Sequence, residues 1–279
     1  MIPMQLNEYD KMFAFENDYW WYRGLHELVE SRIRMIRLGR RMTIFDAGCG
    51  TGRCAQVLEP HGTVEGIDYS AAAIDYCKRR GLESCRAGDL NEWQPPGDLY
   101  DVIVSLDVLC CEGIRNDGEV LEKFYHALRR NGVLILNLPA FPFLRRVHDA
   151  AVSVVRRYRK GNVVRDLRRL GFKVVYVGYR LPVLFVIMLA KKVSEKVLKQ
   201  KAIQSDLTPL PPWINHSLLT LHRLENGLVN RGVRFPFGGS LFLVVEKAGG
   251  MPSSSQNDTI KENTSGEPGD DRRYAGLQR

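Results

Sequence analysis

Asp46-Ala47-Gly48-Cys49-Gly50-Thr51-Gly52 stands between a strand-like run, Met42–Asp46, and a helical pattern over residues 53–60. Glycines at alternate positions allow a tight turn and let a ligand approach the backbone closely. The helix that follows offers free N–H groups at its start. The spacing is GxGxG rather than GxGxxG, and an acid precedes it. That spacing speaks against a nicotinamide-binding loop.

Working outward, strand-like and helix-like segments alternate. Thr63–Asp68 reads as a strand and Ala71–Arg80 as a helix capped by Ser70. Leu82–Ala87 and Asp101–Leu106 read as strands, the latter apolar enough to be buried on both faces. Residues 117–130 read as a helix stopped by Asn131-Gly132, and Val133–Leu138 as the next strand. A helix near 160–170 and strands at Phe172–Tyr179 and Leu241–Lys247 complete the pattern. Such alternation, with right-handed crossovers, predicts an α/β fold with a doubly wound, mostly parallel sheet.

Acids recur where the strands end. Asp68 comes 16 residues after Gly52, placed to accept hydrogen bonds from two ribose hydroxyls. Asp89-Leu90 follows the third strand and can hold an adenine edge, and Asp107 follows the fourth. In an open α/β sheet, ligands bind at these carboxyl ends.

Together, DAGCGTG, VEGIDYS, AGDL, YDVIVSLDVL and LRRNGVLILNLP resemble the class I S-adenosylmethionine-dependent methyltransferases, over about residues 40–180 and 240–247. The resemblance implies a seven-stranded Rossmann-like sheet and S-adenosylmethionine as cofactor. It implies that Gly48, Cys49, Gly50 and Gly52 pass the methionine moiety and ribose. Asp68 and Tyr69 would then meet the ribose, and Asp89 and Leu90 the adenine. Leu106 and Asp107 would lie near the transferable methyl, and Asp46 would order the loop or meet the cofactor's ammonium through water.

Finer pieces resemble one subgroup associated with cell-envelope glycan and lipid pathways: Tyr19-Trp20-Trp21-Tyr22-Arg23, His148-Asp149 followed by Arg156-Arg157-Tyr158, and the 234–240 segment RFPFGGS. Two departures stand out. Val154 replaces a His of the subgroup, and Cys110-Cys111 replaces its Glu-His. His148 is the best-placed general base, with Asp149 or Asp107 to orient it. Arg156, Arg157 and Tyr158 offer a grip for an anionic acceptor. Trp20, Trp21 and Tyr22 would cover the cofactor's sulfonium by cation–π contact, or staple the N-terminal helix.

The 279 residues allow one large domain or two small ones. With 44% hydrophobic and 26% charged residues, collagen-like, coiled-coil and wholly disordered chains are excluded. The net charge of +8 is uneven: Arg145–Lys201 holds 16 Lys/Arg against 3 Asp/Glu, a net +13, leaving −5 elsewhere. A basic middle suits an anionic partner, or is simply a solvated face. Six Cys, with no CxxC pair, give no zinc-ligand spacing, and no metal is expected. The N-terminus shows no secretory pattern, so the expectation is a cytoplasmic protein with reduced thiols.

The expected organisation is an N-terminal helical segment (1–40), a cofactor domain (41–180 and 240–248), a helical insert (181–239) and a disordered tail (250–279). In the insert, the apolar run Leu181–Ala190 is too short to span a bilayer but continues into Lys191, Lys192, Lys196, Lys199 and Lys201. An apolar helix with lysines suits the inner face of a membrane, and equally a lid packed on the catalytic domain. The leading reading is a methyltransferase acting at oxygen on a polar or lipid-linked acceptor. A soluble small-molecule or quinone-type enzyme and a non-catalytic cofactor-binding module are the alternatives. Nucleic acid is disfavoured as a partner, because no recognised nucleic-acid module is present. Oligomeric state is left open.

Overall fold

Short apolar runs, rich in Val, Ile, Leu and Phe, build the centre of the molecule. The computed structural model describes residues 6–36, 38–145, 149–150, 152–197 and 208–248. Its strands are β1 (Met42–Ala47), β2 (Gly62–Asp68), β3 (Cys85–Ala87), β4 (Tyr100–Leu106), β5 (Leu128–Pro139), β6 (Phe172–Arg180) and β7 (Ser240–Lys247). They form one sheet in the order β3-β2-β1-β4-β5-β7-β6. The sheet is parallel except for β7, which runs antiparallel to both β5 and β6. The strand order reverses between β1 and β4, the place where such a sheet opens a ligand crevice. The expected doubly wound, mostly parallel seven-stranded sheet is therefore present.

Alternate residues of each strand face opposite ways. Ile44, Val102, Val104, Ile135, Phe242 and Val244 join one buried cluster, with Leu28 and Ile33 from α2 (Trp20–Arg34) and Leu58 from α3 (Arg53–Leu58). Phe45, Ile103, Leu134 and Leu243 join the other, with Phe124 from α5 (Asp117–Ala127) and Leu167 from α6 (Lys160–Arg169). Helix α1 (Leu6–Phe15) precedes these, and α4 (Ala71–Arg79) lies between β2 and β3, with Ser70 Oγ accepting from the Ala73 N–H as its cap. Helices α7 (Pro182–Val197) and α8 (Pro212–Asn230) occupy the insert.

One boundary is corrected. The helix over 117–130 ends at Ala127, and β5 starts at once with Leu128, which pairs with Tyr100. Asn131, at φ 60°, and Gly132 form an irregularity where the register slips between Tyr100 and Val102, not a helix stop. A Cβ at Gly132 would lie 2.8 Å from the Arg129 carbonyl oxygen, so the bulge needs glycine. The third strand is also shorter than Leu82–Ala87, beginning at Cys85.

Helix α8 is docked along α2. Arg32 donates to the Val229 carbonyl (2.5 Å), Asn226 to the Gly24 carbonyl (2.7 Å), and Arg223 pairs with Glu27. The axes come close because Gly24 has no side chain: a Cβ there would sit 1.9 Å from His222 Nδ1. The expected tail lies outside the described residues, as do Lys199 and Lys201.

Candidate active site

The glycine loop leaves β1 in a conformation only glycines adopt cheaply. Gly48, Gly50 and Gly52 have φ of 86°, 53° and 88°. Gly48 also packs against Val108, whose Cγ2 would be 2.2 Å from a Cβ, and Gly52 against Leu82 and Cys77. The Gly48 and Cys49 N–H groups both donate to the Ile67 carbonyl, which ties the loop to β2. Gly50 is different, since among the described residues only Met12, with its Sδ at 3.1 Å, comes within 4 Å of its Cβ position. It is the open glycine of the three, the cradle a ligand would enter.

Asp68, at the end of β2, accepts from the Gly50 N–H (2.9 Å), the Ser70 N–H (3.0 Å) and the Tyr9 hydroxyl (3.4 Å). Burial raises its carboxyl above the usual range, against those donors. Asp46 is buried with one carboxyl oxygen lacking any partner, and burial pushes it up to about 8. Tyr69 is exposed, while Asp89 turns its Oδ1 onto the Asn91 amide groups and Leu90 is core. Helix α1 covers this side. Besides Tyr9, it stacks Phe13 on Tyr76, and Glu16 just beyond its end accepts from Thr51 and Arg80.

Across the crevice, Leu106 ends β4 and Asp107 follows at φ 57°, a strained value for a non-glycine residue. Its Oδ2 accepts from Asn137 Nδ2 (2.7 Å). Burial pushes its carboxyl up to about 6, opposed by Asn137 and by the guanidiniums of Arg180 and Arg157. Asn137 Oδ1 accepts from Arg180 (2.9 Å), whose other nitrogen meets His222 Nε2. His222, held near 3 by burial and Arg180, is neutral and touches the Trp20 carbonyl. Arg180 and His222 carried no motif, Asn137 lay within LRRNGVLILNLP with no role assigned to it, and only their meeting in space reveals the row. A polar residue within the apolar run of β5 was the one available signal for Asn137.

The expected acceptor-binding trio has other partners. Arg157 makes a bidentate pair with Asp149, both contacts 2.6 Å, and donates to the Ala140 carbonyl. Arg156 braces the carbonyls of Leu109, Cys111 and Arg115. Tyr158 bonds Asp117 and the Leu109 carbonyl. These contacts order the 107–117 loop, and Asp149 is turned to Arg157. His148 lies outside the described residues. The two departures from the subgroup are neighbours, since Cys111 and Val154 pair as a backbone bridge. Of the aromatic run, Trp20 is a staple, packed with Leu181, Leu219 and His222.

A methyltransferase-domain family model matches residues 38–166. This stretch is a class I S-adenosylmethionine-dependent methyltransferase domain. The chain is similar in fold to solved methyltransferases at low identity. One, an S-adenosylmethionine-dependent methyltransferase from Mesorhizobium loti, is 15% identical, with a TM-score of 0.52 over 77% of this chain and 96% of that one. A second, from Archaeoglobus fulgidus, is 16% identical with a TM-score of 0.51, covering 80% and 94%. A third is phosphoethanolamine N-methyltransferase 2 of Haemonchus contortus, in complex with S-adenosyl-L-methionine. It is 14% identical with a TM-score of 0.51, covering 80% and 52%. A search of curated proteins finds no match to the chain.

The methyltransferase loop fits its cofactor in two respects: Gly50 is open, and Asp46 keeps an unpartnered oxygen. Away from the loop, an open 580 Å³ cavity lies beyond β5 and β6, rimmed by Phe141, Phe143, Tyr179, Arg159 and Lys160. Phe185 of α7 packs edge-to-face against Phe141 and Phe143 there. The outer face of α7 exposes Val183, Val186, Ile187 and Leu189, and Trp213 is 71% exposed. No described helix is long and apolar enough to cross a membrane.

Proposed function

We propose that this methyltransferase methylates oxygen on an anionic, lipid-linked acceptor reached from a membrane surface. The observation that carries the proposal is the aromatic, basic cavity beside the apolar side chains that α7 exposes among the described residues. Monomeric proteins seldom leave such a face in water, and lysines at its end suit anionic headgroups. Lys191 and Lys192 stand at that end.

S-adenosylmethionine, when bound, supplies a methyl group on a positively charged sulfur. Gly48, Gly50 and Gly52 give it backbone to lie against, Asp68 receives its hydroxyls, and Asp46 offers a carboxyl oxygen to its ammonium. Asp107 sits across the crevice, positioned to take a proton from an acceptor hydroxyl; with its carboxyl near 6, it is mostly ionised at pH 7. Asn137 and Arg180 hold it in place. Alignment of methyl and acceptor contributes on the order of several kcal/mol to such a displacement.

The test is transfer of labelled methyl from S-adenosylmethionine to an envelope extract, split into lipid and aqueous phases. Label in the lipid phase, together with sedimentation of the protein on anionic vesicles, supports the proposal. Label confined to the aqueous phase, with no vesicle binding, points to a soluble acceptor.

A further inference from the structure

We infer that the protein holds a second ligand site, a buried trithiol pocket for a thiophilic d10 cation such as zinc or cadmium. Cys49 belongs to the glycine loop, Cys77 to the last turns of α4 and Cys85 to the first position of β3. All three are buried, and their Sγ atoms lie within 4.8 Å of one another. Cys49 and Cys77 are 4.0 Å apart. Metal–sulfur bonds of about 2.3 Å at tetrahedral angles set sulfurs about 3.8 Å apart, so the thiols need only a small inward shift.

The sheet below is shaped for this. Asp46, Gly66 and Cys85 stand side by side across β1, β2 and β3. A Cβ at Gly66 would lie 2.6 Å from Cys85 Sγ and 3.0 Å from Cys49 Sγ. The glycine therefore leaves a hollow into which two thiols project from different elements. The cluster is made by the three thiols, with Asp46 next in the row on β1.

Binding breaks three S–H bonds and forms three metal–sulfur bonds. Three protons pass to solvent, and nothing is oxidised or reduced. A cation here joins the glycine loop to α4 and β3. The site stands independently of the acceptor proposal.

The experiment uses the full chain, reduced, stripped with a chelator and titrated with cadmium. A thiolate-to-metal charge-transfer band should saturate at one equivalent per chain. Cys77→Ala and Cys85→Ala should each weaken binding at least tenfold, with Cys111→Ala unchanged. In wild-type protein, which avoids any folding defect of the variants, cadmium should slow alkylation of Cys49, Cys77 and Cys85 but not of Cys111. Absence of the band overturns the inference. So does equal binding by the two variants, or alkylation unaffected by cadmium.

Discussion

Gly48 illustrates how much of the site rests on single atoms. Its φ of 86° and the Val108 methyl 2.2 Å from a Cβ position leave no room for alanine. Gly48→Ala should cost on the order of 1–3 kcal/mol, and should weaken S-adenosylmethionine binding at least tenfold by calorimetry. Gly50 has more space but the same left-handed backbone, so Gly50→Arg should fold with a melting temperature lowered by no more than Gly48→Ala, yet lose cofactor binding. Asp107 gives a pH prediction. Its carboxyl near 6 means that activity, read as kcat/KM, should rise through about pH 6, and Asp107→Asn should remove that limb. Stability moves the other way. A raised carboxyl favours the folded state most when protonated, so Asp107 adds most below about pH 4, its ordinary range. That contribution is lost as pH climbs through about 6. A flat activity profile around pH 6 would remove Asp107 from the chemistry.

At the scale of elements, α2 and α8 hold one another by a close crossing at Gly24. Gly24→Val would drive a side chain into His222 and separate the pair. Overpacking of this kind costs about 1–3 kcal/mol or more, seen as a lower denaturant midpoint. The segment between β5 and α6 depends on the Asp149–Arg157 pair, whose side chains are almost wholly enclosed. Arg157→Met takes the bidentate partner from a buried carboxylate and should destabilise by about 3–5 kcal/mol. Helix α7 makes the opposite prediction. Val186→Glu, on a face that touches nothing described, should leave the melting temperature within about 1 °C, a surface change of under ~0.5 kcal/mol, and abolish sedimentation on anionic vesicles.

For the whole molecule, charge is the informative quantity. The +13 block reads from sequence as one basic surface, but Arg157 is paired inside, Arg156 braces a loop and Arg180 is buried between Asn137 and His222. The exposed remainder includes Arg159, Arg168 and Arg169, with Lys160 half-buried at the cavity rim, while Lys192 donates to the Phe143 and Arg145 carbonyls. Vesicle binding should therefore weaken but persist as salt rises from 0.1 to about 0.5 M, since screening removes the ionic part and spares the apolar part.

The strands, the crevice and the glycine loop were legible in the residues because they depend on local rules: apolar period, glycine freedom and acids at strand ends. Asn131-Gly132 misled because the same pair serves a helix stop or a bulge, and only the pairing of Leu128 with Tyr100 distinguishes them. Arg156, Arg157 and Tyr158 looked like an anion grip because sequence gives their chemistry without their partners. The Asp107–Asn137–Arg180–His222 row and the three thiols come from residues 115 and 36 positions apart, measured end to end. Spacing rules register neighbours along the chain, whereas these groups become neighbours only when strands, loop and helices pack together in the fold. The sequence alone thus determined the fold and the cofactor. The tertiary structure decided which polar side chains face a ligand and which are spent on one another, because burial forces each charged or hydrogen-bonding group to find a partner from whatever the fold brings near.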